Sequence, residues 1–230
     1  MEEYRVQKLL SNYGYCSRRK AEVLIQEGRV KVNNRLITIG DKAKLTDKIS
    51  VDDKPVSVDK KRYLMFHKPI GCVTALTDDK YNTIKDFINI KERVFPIGRL
   101  DFNTSGLLLL TNDGDFANKV MHPRYEVTKT YLAGVDDDIN DKDIAEIEGG
   151  VDLEDGKTAP AKVKQVNSNT IEITIHEGKN RIIRRMLKEL GFRVRFLHRI
   201  RIGNLTLANL EKGKYKPLTP ATMKKIFEKD

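Results

Sequence analysis

The chain is poor in cysteine and histidine and contains no long apolar run. Its two cysteines, Cys16 and Cys72, lie far apart and neither belongs to a C-x-x-C pair. That usage supports neither a disulfide framework nor a cysteine-based zinc site. The four histidines, His67, His122, His176 and His198, lack ligand spacing as well, so no metal is expected. No apolar stretch approaches the roughly 18 residues of a membrane span. The opening "MEEYRVQKLL" is acidic and then mixed, unlike a secretory signal. A cytoplasmic, reducing location without a membrane partner is the expectation. Nucleotide-binding signatures are missing too: there is no Walker A sequence and no G-x-G-x-x-G. "NTSGL" lacks the leading glycine of a nucleophile elbow around Ser105. "NDGD" at 112–115 is too short for a calcium loop and has no closing glutamate; it reads as a turn before a helix starting at Phe116. No cofactor is expected.

What is abundant is positive charge. Of 230 residues, 43 are Lys or Arg and 33 Asp or Glu, a net +10. An excess of this size favours polyanionic partners, nucleic acid first. The hydrophobic fraction, 39%, is enough for a core, and the length allows one or two domains.

The first 58 residues read as a small module of two helices and a hairpin. Val6, Leu9, Leu10 and Tyr13 form the apolar stripe of one helix, ended at Gly14. Ser17 is placed to cap a second helix, "RRKAEVLIQEG", which buries Ala21, Leu24 and Ile25 and stops at Gly28. In "RVKVNNRLI" the alternation of Val30 and Val32 followed by Asn33-Asn34 predicts a hairpin. Arg18, Arg19 and Lys20 cluster at the start of the second helix, with Arg29 and Lys31 beyond its end. Cations at a helix start oppose its dipole, and a bound phosphate would offset that cost. A solvated basic face explains the cluster equally well.

After the polar stretch 49–62, with a flexible link expected near 58–62, a second domain is expected over 63–230. It is mostly short apolar runs: "YLMFHKP", "RVFPIGRL", "GLLLLTND", "KTYLAGV", "AKVKQV", "TIEITIHEG" and "VRFLHRIRIG". Helical patterns fall between them at 83–88, 114–121, 141–148 and 182–190. Many strands with a few interleaved helices predict an α+β fold with a mixed, mainly antiparallel sheet. Charge is sorted along this domain. Residues 136–155 hold ten acids and one lysine, and residues 179–201 hold nine basic residues and one acid. Phosphates would lie on the second stretch and avoid the first.

One carboxylate stands out. Asp101, in "PIGRLDFNTSGLLLLTNDGD", sits beside Arg99 at the mouth of the apolar run Leu107 to Leu110. Aspartate is common in turns. A lone carboxylate is also a competent nucleophile toward a sugar carbon, and a nearby arginine would hold it ionised.

Four segments in order, "HKPIG" (67–71), "GRLDFNTSGLLLLTNDG" (98–114), "HPRYEVTKTY" (122–131) and "EGKNRIIRRML" (177–187), resemble the RsuA/RluB-type ribosomal RNA pseudouridine synthases. The N-terminal "RVQKLLSNYGYCSRRKAEVLIQEGRVKVNNR" resembles the S4 RNA-binding domain that precedes the catalytic domain in that family. The likeness spans essentially the whole chain and leans toward the large-subunit branch. It implies isomerisation of one uridine in ribosomal RNA to pseudouridine, with base flipping and without cofactor or metal. The alternatives are the same reaction on small-subunit RNA and a non-catalytic assembly factor. By resemblance Asp101 is the nucleophile, Tyr131 stacks on the target base, and Arg184 pairs with the aspartate, with Arg181 and Arg185 as alternatives for that pairing. Helical spacing would put Arg181 and Arg184 on one face, leaving Arg181 and Arg185 for phosphate. Arg18, Arg19, Lys20, Arg29, Lys31, Arg99, Lys179, Arg181 and Arg185 are the expected RNA contacts. Lys68, Pro69 and Gly71 are expected to form a structural loop near the site. The partner is a structured RNA stem-loop, free or in a precursor particle, and the protein is expected to be a monomer.

Overall fold

A computed structural model describes residues 2–228. The chain divides into two compact units: one holds the chain up to Tyr63 with Ile90–Phe95 and Thr111–Phe116, the other the remainder.

The first unit opens with a two-residue strand, β1 (Tyr4–Arg5), then α1 (Val6–Asn12) and α2 (Arg18–Gln26). The Ser17 hydroxyl accepts from the Lys20 amide at 3.2 Å, the capping bond anticipated for α2. Five short strands follow: β2 (Val30–Val32), β3 (Arg35–Leu36), β4 (Lys42–Ala43), β5 (Ile49–Val51) and β6 (Lys54–Pro55). Four of them form an antiparallel sheet in the order β3-β2-β5-β6, while β4 pairs with β1. Asn33 and Asn34 take left-handed φ values of 50° and 66°, the backbone of a tight hairpin turn that asparagine tolerates. The core is thin: Val6, Leu9, Leu10, Leu24 and Ile25 meet Val30, Ile49 and Val51. The stretch 60–62, expected as a mobile link, is bonded within this unit instead. Buried Asn112 donates to the Lys60 carbonyl and accepts from the Arg62 amide, and Arg62 pairs with Glu92 at 2.6 Å. The polar composition that suggested mobility is consumed by these bonds.

From Tyr63 the chain builds a nine-stranded sheet. Its elements are β7 (Tyr63–Lys68), β8 (Phe95–Ile97), β9 (Ser105–Thr111), α3 (Gly114–Met121), β10 (Lys129–Val135), α4 (Asp141–Gly149), β11 (Lys162–Asn167), β12 (Thr170–Ile175), α5 (Ile182–Glu189), β13 (Val194–Ile202), β14 (Leu205–Thr206), β15 (Tyr215–Pro217) and α6 (Pro220–Lys224). The strand order is β11-β12-β10-β13-β9-β7-β15, with β14 on β13 and β8 on β9. The pairings flanking β10 are antiparallel and β13 runs parallel to β9, as the mixed, mainly antiparallel expectation requires. The segment from β10 to β13 reads strand-helix-strand-strand-helix-strand in the order β11-β12-β10-β13, a split βαβ arrangement. Ala133, Val135, Ile171 and Ile173 on its strands pack against Ile147 of α4 and Ile183, Met186 and Leu187 of α5.

Leu107 to Leu110 are at most 1% exposed. Burial of each contributes about 1.5–3 kcal/mol, so the strand that follows Asp101 is a rigid support. Gly106 makes that support possible. It has φ 122°, and a Cβ there would come within 2.3 Å of the Arg199 carbonyl oxygen. No larger residue fits where β9 meets β13.

The helix spans Gly114–Met121, as its apolar pattern predicts, and begins before Phe116 because Asp113 accepts from the Asp115 and Phe116 amides. The charge sorting seen along the chain is partly undone in space. Asp155 grips Arg185 through two bonds of 2.7 and 3.1 Å, and Asp136 accepts from the Arg193 amide at 2.8 Å. The acidic stretch therefore neutralises part of the basic one.

Candidate active site

Asp101 stands on a loop between β8 and β9 whose backbone is tied down at nearly every residue. The Thr74 hydroxyl donates to the Leu100 carbonyl at 2.6 Å and accepts from the Leu100 amide. The Gly71 amide donates to the Phe102 carbonyl, and the Thr104 amide to the Asp101 carbonyl. Beneath them lies Lys68, fully buried. Its ammonium donates to the carbonyls of Pro69, Asp101 and Thr104 at 2.9–3.0 Å. Burial pushes the Lys68 ammonium down to about 8. Lys68 is thus the last residue of β7 and a buried clamp on the Asp101 loop, a more specific part than the structural loop expected around 68–71.

The carboxylate opens onto a cavity of about 480 Å3, within the range of small-ligand pockets. Arg99, Lys129, Lys179, Arg181 and Arg199 line it, with Asp101 and Glu177 as the acids and Ile175, Ile183 and Leu197 as apolar wall. Tyr131 of β10 and Arg199 of β13 are opposite one another in register. The Arg199 guanidinium, 4% exposed, donates to the Leu107 carbonyl at 2.7 Å and to the Tyr131 hydroxyl at 3.3 Å. Its Nη2 is buried without a partner, so one strong donor remains to be satisfied. Lys129, two residues before Tyr131, also lines the cavity. Burial, reinforced by Arg199, pushes its ammonium down to about 8, so it exchanges a proton close to neutral pH.

The arginine assignments change. Arg181 is the guanidinium that approaches Asp101, at 4.0 Å with both groups partly exposed. It does not share a helix face with Arg184: it is the residue before α5, with a left-handed φ of 49°. Arg184 donates to the Asn103 carbonyl at 2.8 Å and to the Thr104 hydroxyl at 3.4 Å, making no ion pair with Asp101. Burial and Arg181 lower the Arg184 pKa while Asp101 raises it, so its charge is still felt at the carboxylate. Arg185 is bound to Asp155. Lys179 leans on the Gly156 and Lys157 carbonyls, and Arg99 is exposed at the rim.

In the first unit Arg29 pairs with Asp52 and Glu27, and Lys31 with Asp53. Arg18, Arg19 and Lys20 are exposed and make no ion pair among the described residues. They are the freer cations for a polyanion.

Lys129, Arg199 and Thr104 were not singled out from the sequence. Lys129 was within reach, being on the same strand face as Tyr131 by the period-two rule. Nothing in "VRFLHRIRI" separates Arg199 from Arg195 or Arg201.

A carboxylate on a braced loop, sharing a basic cavity with a tyrosine-arginine pair, is the kind of site an RNA-modifying enzyme needs, and the relationships to other proteins agree. Residues 62–189 match the RNA pseudouridylate synthase family and residues 5–49 the S4 domain. The chain belongs to the RNA pseudouridylate synthase family, in its S4-containing form. It is 45% identical to "Ribosomal large subunit pseudouridine synthase B" of Bacillus subtilis (strain 168), covering 96% of this chain and 95% of that protein. It is 37% identical to "Dual-specificity RNA pseudouridine synthase RluF" of Escherichia coli O157:H7, covering 97% of this chain and 78% of that one. A solved structure described as a pseudouridylate synthase superposes with a TM-score of 0.73 at 31% identity, covering 96% of this chain and 99% of the other. No helix among the described residues is long and apolar enough to cross a membrane.

Proposed function

We propose that the protein isomerises one uridine of large-subunit ribosomal RNA to pseudouridine, with Asp101 as the nucleophile. The observation that carries the reading is the Asp101 carboxylate at the edge of a basic cavity, opposite the Arg199-held Tyr131. The substrate assignment leans on the Bacillus subtilis relative, whose name places its activity on the large subunit.

The target base is flipped out of its stack into the cavity and rests on Tyr131. The Asp101 carboxylate attacks C1′ of the ribose, and the bond from C1′ to N1 breaks. Uracil turns within the cavity, and C5 displaces the carboxylate from C1′. The proton on C5 is then lost and N1 gains one, so the reaction is an isomerisation with no net reactant. Arg181 steadies the carboxylate, while Arg184 braces the backbone behind it. The enzyme acts as a monomer, with residues 1–58 gripping the RNA and residues 63–230 carrying the chemistry.

Carbodiimide and primer-extension mapping of ribosomal RNA transcripts after incubation with the protein tests this. A new stop at one uridine of the large-subunit RNA is the expected result. A stop on small-subunit RNA alone would move the substrate assignment. No stop on either RNA or on precursor particles, with binding retained, would favour an assembly role.

Changing Arg18, Arg19 and Lys20 together to glutamine is expected to weaken RNA binding and flatten its salt dependence. Each lost phosphate contact lowers the slope of log affinity against log salt by about 0.7–0.9. An unchanged slope in a salt titration would mean that α2 does not face the RNA.

A further inference from the structure

The loop 70–82 and the Asp101 loop share an aromatic pair that the reaction as derived does not use. Tyr81 is 44% exposed, and its ring lies 4.8 Å from that of Phe102 at a tilt of 55°. Phe102 follows Asp101 directly in the chain, and the same loop is tied to the Asp101 loop on both sides of the carboxylate. Thr74 bonds Leu100 and Gly71 bonds Phe102. Phe102 is therefore held beside the nucleophile by backbone bonds, and Tyr81 is placed by its ring contact with Phe102. The Tyr81 backbone is also preset, since the Asp78 carboxylate accepts from the Lys80 and Tyr81 amides. Packing against Phe102 covers part of the Tyr81 ring, and the residue stays 44% exposed, so part of the aromatic surface is accessible for stacking.

We propose that the Tyr81–Phe102 pair is a stacking subsite for an unpaired nucleobase that flanks the flipped uridine in the RNA. The inference rests on the reading of the protein as a uridine isomerase. A base is the fitting occupant because an aromatic face accepts any base by stacking. Extruding one base leaves its neighbours partly unstacked, and a ring anchored beside the nucleophile restores a stacking partner. The Lys80 ammonium now lies 5.3 Å from the Tyr81 ring centroid. A base taking that face displaces it onto the adjoining phosphate. Arg99, two residues before Asp101, is exposed, has no bonded partner among the described residues and lines the cavity that the carboxylate opens onto, so it is a second cation for the RNA backbone there.

The test compares wild type, Tyr81→Ala and Tyr81→Phe in binding to a large-subunit ribosomal RNA transcript, with turnover on the same transcript read in parallel. Loss of one stacked base is expected to raise the Kd of Tyr81→Ala about tenfold, while Tyr81→Phe, which keeps the ring, stays within about twofold. Ultraviolet cross-linking of wild type to 5-iodouridine-substituted transcript is expected to mark Tyr81 or Phe102. Binding by Tyr81→Ala equal to wild type, on a transcript that wild type modifies, would overturn the subsite and leave the proposed function standing. A tenfold loss with Phe rescue on a transcript that wild type fails to modify would support the subsite for RNA and sink the uridine reading instead.

Discussion

Asp101→Asn is expected to bind ribosomal RNA within about threefold of wild type and to form no pseudouridine. Loss of a covalent nucleophile typically costs at least about 10^4-fold in turnover. Asparagine is nearly isosteric, and the loop around it is held through backbone groups, namely the Asp101 carbonyl on Lys68 and Thr104. The substitution therefore leaves the fold intact. It also removes a negative charge from a cavity that receives a polyanion, so binding has no reason to weaken. Primer-extension mapping with both proteins reads the outcome. Turnover retained by the variant would remove Asp101 from the nucleophile's role.

Lys68→Met is expected to lower stability by about 2–4 kcal/mol, because the Pro69, Asp101 and Thr104 carbonyls all lose the ammonium and only that of Asp101 keeps another donor, the Thr104 amide. Methionine fills the volume of the stem, so the loss reports the bonds. The same change frees the loop carrying Asp101, and displacement of a reacting group by about 1 Å can cost about 100-fold in rate. Urea titration and turnover should therefore fall together. The pH dependence has a definite sign. The folded Lys68 sits near 8, below the unfolded value near 10.4. Between those limits the unfolded chain binds more protons, so stability rises with pH there. Wild type should thus gain stability over Lys68→Met as pH rises from 8 toward 10, and a constant difference would mean that Lys68 does not titrate in that window.

Much of the architecture was readable because it depends on short-range patterns. The period-two and period-3.6 apolar runs located most strands and helices of the second unit closely, as with Lys129–Val135 and Ile182–Glu189, while the short strands Leu205–Thr206 and Tyr215–Pro217 and the helix Pro220–Lys224 left no such pattern. The capping serine, the Asn33-Asn34 turn and the buried run Leu107–Leu110 followed from local chemistry. Asp101 was legible because a lone carboxylate at the mouth of a core strand, in that sequence context, has few ordinary explanations. The roles of the arginines were not legible. Arg184 is assigned to Asp101 by resemblance, with Arg181 and Arg185 as alternatives, and helical spacing assumes that Arg181 belongs to the helix. In the structure Arg181 precedes the helix with a left-handed φ and lies 4.0 Å from the carboxylate. That backbone conformation is invisible in composition.

The basic clusters show the same limit. Arg29, Lys31 and Arg185 looked equivalent to Arg18, Arg19 and Lys20 as phosphate ligands, yet the first three are bound to Asp52, Asp53 and Asp155. Those partners are 20 to 30 residues distant along the chain, beyond any window in which charge patterning is read.

The sequence by itself determined the α+β class, the S4-like front end and the family, and it singled out Asp101 as the proposed nucleophile, because each depends on residue type and near-neighbour spacing. Only the tertiary structure decided which cation faces Asp101, that Lys68 is a buried clamp, and that Arg199 holds Tyr131. The physical reason is that these contacts join segments far apart in the chain, β7 and the start of α5 to the Asp101 loop and β10 to β13, which the sheet brings together. Side-chain chemistry is local, but the partner that satisfies a buried donor is selected by strand order and register, which no single segment encodes.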